Sequence, residues 1–450
     1  MKQSKKILLL ISLFISLFLN SIPAQNIWTL GDCIIYAFEN NIVIKQQKIS
    51  TEINENSLAQ SKFDLLPSIN AGANQGLSFG RSLDLTTYDF VDEKINTTSM
   101  NMASTVTLFS GLQKLNTIQQ NEFNLLASLQ GLEKLKNDIA LSIASYYLQI
   151  LFNRELLTIS KNQHEITLQQ VARTSKLVEA GSLARGALFE IQAQAASEEL
   201  NVVSAENRLT LSYLDLIQTL DLDSIGDFEV EIPEFEDIVR DPIIVTVGSV
   251  YRDALNVMPQ IRGAEYQLQS AYEGLSIAQG GRSPRVILNG NWNTGYSDAF
   301  TNPSAPGEQY PFWDQFSNNA STGLSLGLNI PIFNSWMVNT YIANAKLYVN
   351  TYELQLETTK NDLYKAIQQS HADAVAARKR YLATEEALVA MVESFKYTEE
   401  RYEVGLVNTV DYNTEKNRLT TTQSDLLQSK YDYIFKMKIL DFFRGIPITL

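Results

Sequence analysis

Residues 342–406 read IANAKLYVNTYELQLETTKNDLYKAIQQSHADAVAARKRYLATEEALVAMVESFKYTEERYEVGL. Stepping by three and four from Ile342 picks out Ala345, Val349, Tyr352, Leu356, Thr359, Leu363, Ile367, Ser370, Ala374, Ala377, Tyr381, Thr384, Leu388, Met391, Phe395, Thr398 and Tyr402. A mostly apolar stripe held for so long belongs to coiled-coil packing rather than to an ordinary globular helix. Two successive four-residue steps around Leu363 form a stutter, which locally unwinds a supercoil. At 1.5 Å per residue such a helix is about 100 Å long, too long for a compact domain. It ends in Arg401-Tyr402-Glu403-Val404-Gly405-Leu406, turns at Gly405, and climbs back as a second helix from Val407 to Phe443, with Asp411 shortly after the turn.

The same design occurs earlier in the chain. Phe109-Ser110-Gly111 aligns with Phe333-Asn334-Ser335 and Gly181 with Gly405, both at an offset of 224 residues, while Pro67 aligns with Pro284 at an offset of 217. Moving the stripe back by 224 lands on Ile118, Asn121, Leu125, Ser128, Leu132, Leu135, Ile139, Ile143, Tyr146, Ile150, Asn153, Leu157, Ser160, His164, Thr167, Val171, Thr174 and Val178, stutter included. The chain therefore reads as an internal duplication. Residues 25–220 form the first repeat, with a helix from about Leu30 to Phe63, a strand hairpin over 66–109, a long helix, a tip near 181 and a return helix from about Arg185 to Leu220. Residues 244–443 form the second, with a helix from about Val245 to Gln279, a hairpin over 285–332, a long helix and a tip near 405. Between them, 221–243 read as an acidic, proline-bearing, partly structured crossover outside the helical body, and 444–450 as a short tail.

Residues 1–24 have the form of a secretory signal peptide: Lys2, Lys5 and Lys6, an apolar run from Ile7 to Leu19, then Ser21 to Ala24. The expectation is an exported chain. Its net charge of -14, more negative still without those lysines, argues against nucleic-acid binding. After the leader no stretch approaches the apolar length of a spanning helix. Cys33 is the only cysteine, so no internal disulfide forms; it reads as a buried packing residue, with lipid attachment as the alternative, against which Asp32 stands where a small residue is needed.

Four segments alternate with period two. Ile69, Ala71, Ala73, Gln75, Leu77 and Phe79 interleave with Ser68, Asn70, Gly72, Asn74, Gly76 and Ser78. Met100 to Leu108, Val286 to Tyr296, and Leu324, Leu326, Leu328, Ile330 and Ile332 repeat the pattern. About ten residues with one apolar and one polar face is the signature of a membrane β-barrel strand, the alternative being two soluble hairpins. The joining loops carry aromatics suited to a bilayer interface, Tyr88 and Phe90 in the first and Phe300, Tyr310, Phe312, Trp313 and Phe316 in the second. Four strands do not close a barrel, and an open edge in lipid leaves backbone groups unsatisfied. Several chains must then share one barrel: two give eight strands and a filled lumen, three give twelve and room for a pore.

With its duplicated layout, paired hairpins and tip sequence Arg401 to Leu406, the chain resembles the TolC-like outer-membrane factor family over essentially its whole mature length. The resemblance implies a mainly helical α+β fold: a homotrimer whose 12-stranded β-barrel, four strands per chain, sits in the outer membrane of a Gram-negative bacterium and continues as a long periplasmic α-helical barrel. It implies a channel joining an inner-membrane pump and a periplasmic adaptor, for efflux of small molecules or secretion of proteins, with no cofactor. It places adaptor docking at Val404, Gly405 and Leu406, with a looser match at Ala180, Gly181 and Ser182. It places a periplasmic gate at Arg401, Tyr402 and Asp411, where three carboxylates converging on an axis would favour cations; the family's second acidic position is occupied here by Thr414, and the competing reading of Asp411 is an ordinary exposed helix-start residue. Val407 and Ala187 stand where the family's lock has an arginine and an aspartate, so the lock must differ, Glu190 and Arg185 being candidates.

Other residues point to no chemistry. His164 falls on the stripe and His371 beside it, and with one cysteine they make no metal cluster. Gly280 and Gly281 lack the context of a phosphate loop. The acidic pairs Asp221 and Asp223, and Glu234 and Glu236, read as solvated crossover residues. No nucleophile–base pair is present, so an enzyme is not expected. The competing function class is an exported structural coiled-coil protein without a pore, which leaves the four strands unexplained.

Overall fold

The computed structural model describes residues 26–83, 89–222, 228–233, 245–302, 305 and 308–449. The leader over 1–24, Tyr88, Asp223, Glu234, Glu236 and most of the crossover lie outside them. In chain order the first repeat contains β1 (Asn26–Trp28), α1 (Leu30–Asn40), α2 (Ile42–Phe63), β2 (Ser68–Leu83), β3 (Phe90–Phe109), α3 (Gln113–Glu179) and α4 (Arg185–Leu220). After β4 (Phe228–Val230) the second contains α5 (Val247–Val257), α6 (Pro259–Gly280), β5 (Arg285–Ser297), α7 (Phe312–Asn318), β6 (Ser321–Asn329), α8 (Met337–Glu403) and α9 (Thr409–Phe443). Both long helices, α3 and α8, contain 67 residues and run without interruption through the stutter. Every residue of the two stripes is at least partly covered except Tyr352, which is 37% exposed.

The first helix of each repeat differs from the expectation: each is two helices. In the first copy the break is at Asn41, whose extended backbone (ψ 127°) ends α1. Its Oδ1 accepts the amides of Val43 and Ile44 at 2.9 and 3.2 Å, its Nδ2 donates to the Thr219 carbonyl at 2.9 Å, and Asp221 accepts the Ile42 amide at 2.7 Å. In the second copy the break is at Met258 (ψ 122°), because Pro259 pushes the residue before it out of the helical region. The two breaks are 217 residues apart, as the repeat requires. Asp221 is thus a capping residue with left-handed backbone (φ 56°), not a free solvated acid.

The chain forms two compact units. One comprises residues up to Lys48, Gly131–Ile261 and Thr359 onward. Its core joins Leu30, Cys33 and Ala37 of α1 to Ile143, Tyr147, Ile150 and Leu151 of α3, Leu216 and Leu220 of α4, and Tyr433 and Ile434 of α9. The crossover enters this core. β4 pairs in parallel with β1, burying Phe228 and Val230, and the Tyr147 hydroxyl donates toward the carbonyls of Trp28 and Glu231 at 3.1 and 2.8 Å. Residues 228–230 are a structured part of the crossover, and they lie in the core rather than outside the helical body as expected. Thr29 and Asp32 form a capping box at the start of α1, which holds the Asp32 carboxyl below its ordinary pKa. Cys33 is fully buried, and burial pushes its thiol up to about 12, as suits a packing residue.

The other unit, Ile49–Gln130 with Arg262–Thr358, holds an antiparallel sheet in the order β2-β3-β5-β6. Directly paired residues share a face. Ala71 pairs with Met102 and Met102 with Trp292; Val106 pairs with Leu288 and Leu288 with Leu326. The alternate positions pair Gly72 with Asn101, Asn101 with Asn293, and Asn293 with Ser321. One face is thus apolar across all four strands and the other polar. β2 and β3 run to 16 and 20 residues, longer than expected, and β6 stops at Asn329, so that Ile330 and Ile332 leave the strand, with Pro331 between them lacking an amide for the ladder. Each copy turns from sheet to long helix through two left-handed residues, Gly111 and Leu112 in the first and Ser335 and Trp336 in the second. At Gly111 a Cβ would lie 2.4 Å from the Gly280 carbonyl oxygen, so two backbones touch there. No helix among the described residues is long and apolar enough to cross a membrane.

Candidate functional site at the paired helix tips

Both tips close by the same hydrogen bonds. The amide of Gly181 donates to Val178 and that of Ser182 to Leu177; 224 residues later Gly405 donates to Tyr402 and Leu406 to Arg401. This six-to-one and five-to-two pairing is the Schellman motif, which needs a left-handed residue. Gly181 (φ 73°) and Gly405 (φ 79°) supply it. The return helices start differently. Asn408 caps α9 by accepting the Asp411 amide at 2.8 Å, whereas Ala184 offers α4 no side-chain cap.

Between the tips lies a half-open cleft of about 920 Å³ whose lining includes Leu177, Leu183, Glu190, Tyr402, Val404 and Leu406. Val404 and Leu406 are each 70% exposed, apolar side chains held out by the turn. Ser182, Gly405, Val407 and Ala187 also line it. Arg401, Asp411, Ala180, Gly181 and Arg185 do not belong to its lining. Arg173 and Glu403 form an exposed ion pair between the tips at 3.2 Å, a geometry that contributes about 1 kcal/mol or less. The Asp411 carboxylate accepts from Asn408 Nδ2 at 3.0 Å, so within one chain it completes a helix start. Tyr402 stacks on Tyr412, with ring centroids 4.5 Å apart and planes at 27°. Tyr412 is fully buried against Phe395 and accepts from Gln170 Nε2; burial pushes its hydroxyl up to about 12.

One cluster behind the tip was not anticipated. Lys416 of α9, only 1% exposed, places its ammonium 3.2 Å from Glu198 of α4 and donates to the Gln163 carbonyl of α3 at 3.1 Å and to the Thr167 hydroxyl. Gln194 donates to Glu198 at 2.9 Å and to Asn417 at 3.1 Å. Desolvation lowers the Lys416 pKa, opposed by the Glu198 charge. The signal was available in the sequence. A three-and-four walk along α4 passes Ile191, Ala195, Glu198 and Ala205, and one along α9 passes Thr409, Tyr412, Lys416 and Leu419. Each inward stripe therefore contains one charge of opposite sign. His164 lies partly covered with its Nδ1 buried and unpaired, and His371 Nε2 lies 3.0 Å from the Val245 carbonyl. No group of three or more metal-binding side chains occurs among the described residues.

Comparison with known proteins agrees with this architecture. The family described as "Outer membrane efflux protein" matches residues 36–221 and again 250–436. The chain is 23% identical over 439 residues to outer membrane protein TolC of Salmonella enteritidis, covering 96% of this chain and 84% of that one. It is 22% identical over 380 residues to toxin and drug export protein A of Aggregatibacter actinomycetemcomitans, covering 81% and 77%. Among solved structures, CusC superposes with a TM-score of 0.79 at 16% identity over 93% of this chain and 92% of that one. VceC of Vibrio cholerae does so with 0.74 at 15% identity over 92% and 96%. With the family matched twice, once per repeat, the chain belongs to the outer membrane efflux protein family and is a non-enzymatic channel component of the Gram-negative outer membrane.

Proposed function

We propose that three copies of this chain close a single 12-stranded barrel and form the outer-membrane duct of a tripartite export assembly, receiving cargo from an inner-membrane pump through a periplasmic adaptor. The observation that carries this reading is the four-stranded sheet, apolar on one face, polar on the other, and open at β2 and β6. Open edges in lipid are satisfied only by further strands, and twelve strands leave room for a lumen. The exposed apolar pair Val404 and Leu406, presented over Gly405, is the docking surface for the adaptor, and Ala180, Gly181 and Ser182 offer a second, non-identical one. Tyr402, Arg401 and Asp411 form the periplasmic gate, with three Asp411 carboxylates near one axis. Cargo is selected by the pump and adaptor.

Planar-bilayer recording tests the duct. The purified protein is expected to conduct, more strongly when Asp411→Ala and Tyr402→Phe are combined to loosen the tip. Absence of conductance in both proteins contradicts the reading. In a salt gradient the parent should prefer cations, and Asp411→Asn should weaken that preference; an unchanged reversal potential removes Asp411 from the gate.

A further inference from the structure

The second hairpin does not end in a simple loop. Helix α7 folds back onto the apolar face of β5, where Trp292 and Tyr296 meet it: Trp292 lies 6.2 Å from Phe316 and Tyr296 lies 4.9 Å from Phe312, centroid to centroid. That face is the one carrying Leu288, Leu324, Leu326 and Leu328. The helix is clamped from beneath by Gln315, 1% exposed, whose Oε1 accepts the Ser297 amide at 3.0 Å and whose Nε2 donates to the carbonyls of Ser297 and Tyr310 at 2.9 and 2.8 Å. Asn319 donates to the Gly295 carbonyl at 2.8 Å, and Thr294 to that of Phe316. These side chains satisfy the backbone beyond the ladder without needing water, as a lipid-facing segment requires. The outward side of α7 is Trp313, 74% exposed and edge-on to Phe312 and Phe316.

We infer that α7 is a membrane-surface strap: it lies outside the barrel wall, with Trp313 seated at the headgroup–acyl boundary of the membrane, rather than over the mouth of the channel. The occupant of this surface is lipid because the patch continues the apolar face of the sheet and presents Trp313 outward from it; residues 298–320 contain Asp298, Glu308 and Asp314 but no lysine or arginine. Attachment therefore comes from ring burial, for which tryptophan at the interface is suited, and not from attraction to anionic headgroups. The inference rests on the proposed reading of the apolar face as the lipid face.

Tryptophan quenching in proteoliposomes tests it, using phospholipids brominated near either the carbonyl end or the methyl end of the acyl chain. The parent should be quenched more strongly by the carbonyl-end label, and Trp313→Phe should lose about half or more of that preference, while the assembly keeps its size and conductance. A second protein, carrying Trp313→Phe with Leu326→Trp, reports on the strand face and should be quenched by the methyl-end label. If that protein is quenched but removing Trp313 changes nothing, or if aqueous iodide quenches the Trp313 component instead, α7 faces water and the strap is wrong while the lipid face stands. If neither tryptophan responds to lipid, the lipid-face reading fails, and the strap with it. Loss of the assembled state in Trp313→Phe would assign α7 to a contact between copies and likewise overturn the inference.

Discussion

At the residue scale the tip is governed by a few atoms of defined role. Gly181 and Gly405 are required by their left-handed backbones, not by crowding, since a Cβ at either would meet nothing within 4 Å. Their function was legible because a glycine between two long apolar stripes has few other readings. Asp411 was legible as an acid after the turn, but its bond to Asn408 is a local capping arrangement that spacing alone does not distinguish from a gate. The buried pair Lys416 and Glu198 is legible only on the inward stripes of the return helices α4 and α9, where each is the single charge among apolar and small residues. Removing one partner leaves an unpaired buried charge, so Glu198→Ala should destabilise the folded protein by about 3–5 kcal/mol, whereas Glu198→Leu combined with Lys416→Met should be near neutral. Denaturation of the two proteins in detergent measures the contrast. Equal losses would show the pair to be solvated. Tyr412 gives a pH dependence. Its hydroxyl is raised from 10.0 to about 12, so folding favours the neutral form. The contribution is complete below pH 10 and is lost as pH rises toward 12. The parent should therefore lose stability more steeply than Tyr412→Phe across that window, and parallel curves would contradict the burial of that hydroxyl.

At the element scale, periodicity fixed what the sequence could fix. The long helices and the strand alternation were readable because both patterns persist long enough to exclude other periods. The 224-residue offset recurs in structure as equal helix lengths, matching Schellman turns and matching left-handed pairs before each long helix. The breaks at Asn41 and Met258 carry different signals: Pro259 marks the second, because the residue before a proline leaves the helical region, whereas the first depends on side-chain caps that have no periodicity. β1 and β4 were unreadable for a different reason: three residues carry no periodicity, and their pairing is a long-range event. Helix α7 looks in sequence like a loop of aromatics, because seven residues are too few to display a helical stripe. Among the described glycines, Gly111 leaves the least room for a Cβ, which marks it as the most sensitive small-residue site. Gly111→Ala combines a left-handed residue (φ 63°) with a 2.4 Å clash against the Gly280 carbonyl. It should reduce the yield of assembled protein in the membrane severely, where Gly181→Ala, strained by only about 1–2 kcal/mol, should not. Comparable yields of heat-resistant oligomer from both variants would show that the crossing at Gly111 relaxes freely.

At the scale of the whole molecule, duplication, sheet and tips belong to one plan: each repeat gives one strand hairpin and one helix tip, and two repeats give a four-stranded sheet that is incomplete alone. The incompleteness is the physical reason to expect assembly, since β2 and β6 each leave an unpaired edge that neither lipid nor water-free packing satisfies. The membership of the chain in the outer membrane efflux protein family states what kind of duct results, while the count of chains is a prediction from strand number and lumen size. Native mass spectrometry of the protein extracted from membranes in mild detergent measures that count. The account predicts an assembly of three chains; an assembly of two, or a stable single chain with its sheet edges unpaired, would contradict it.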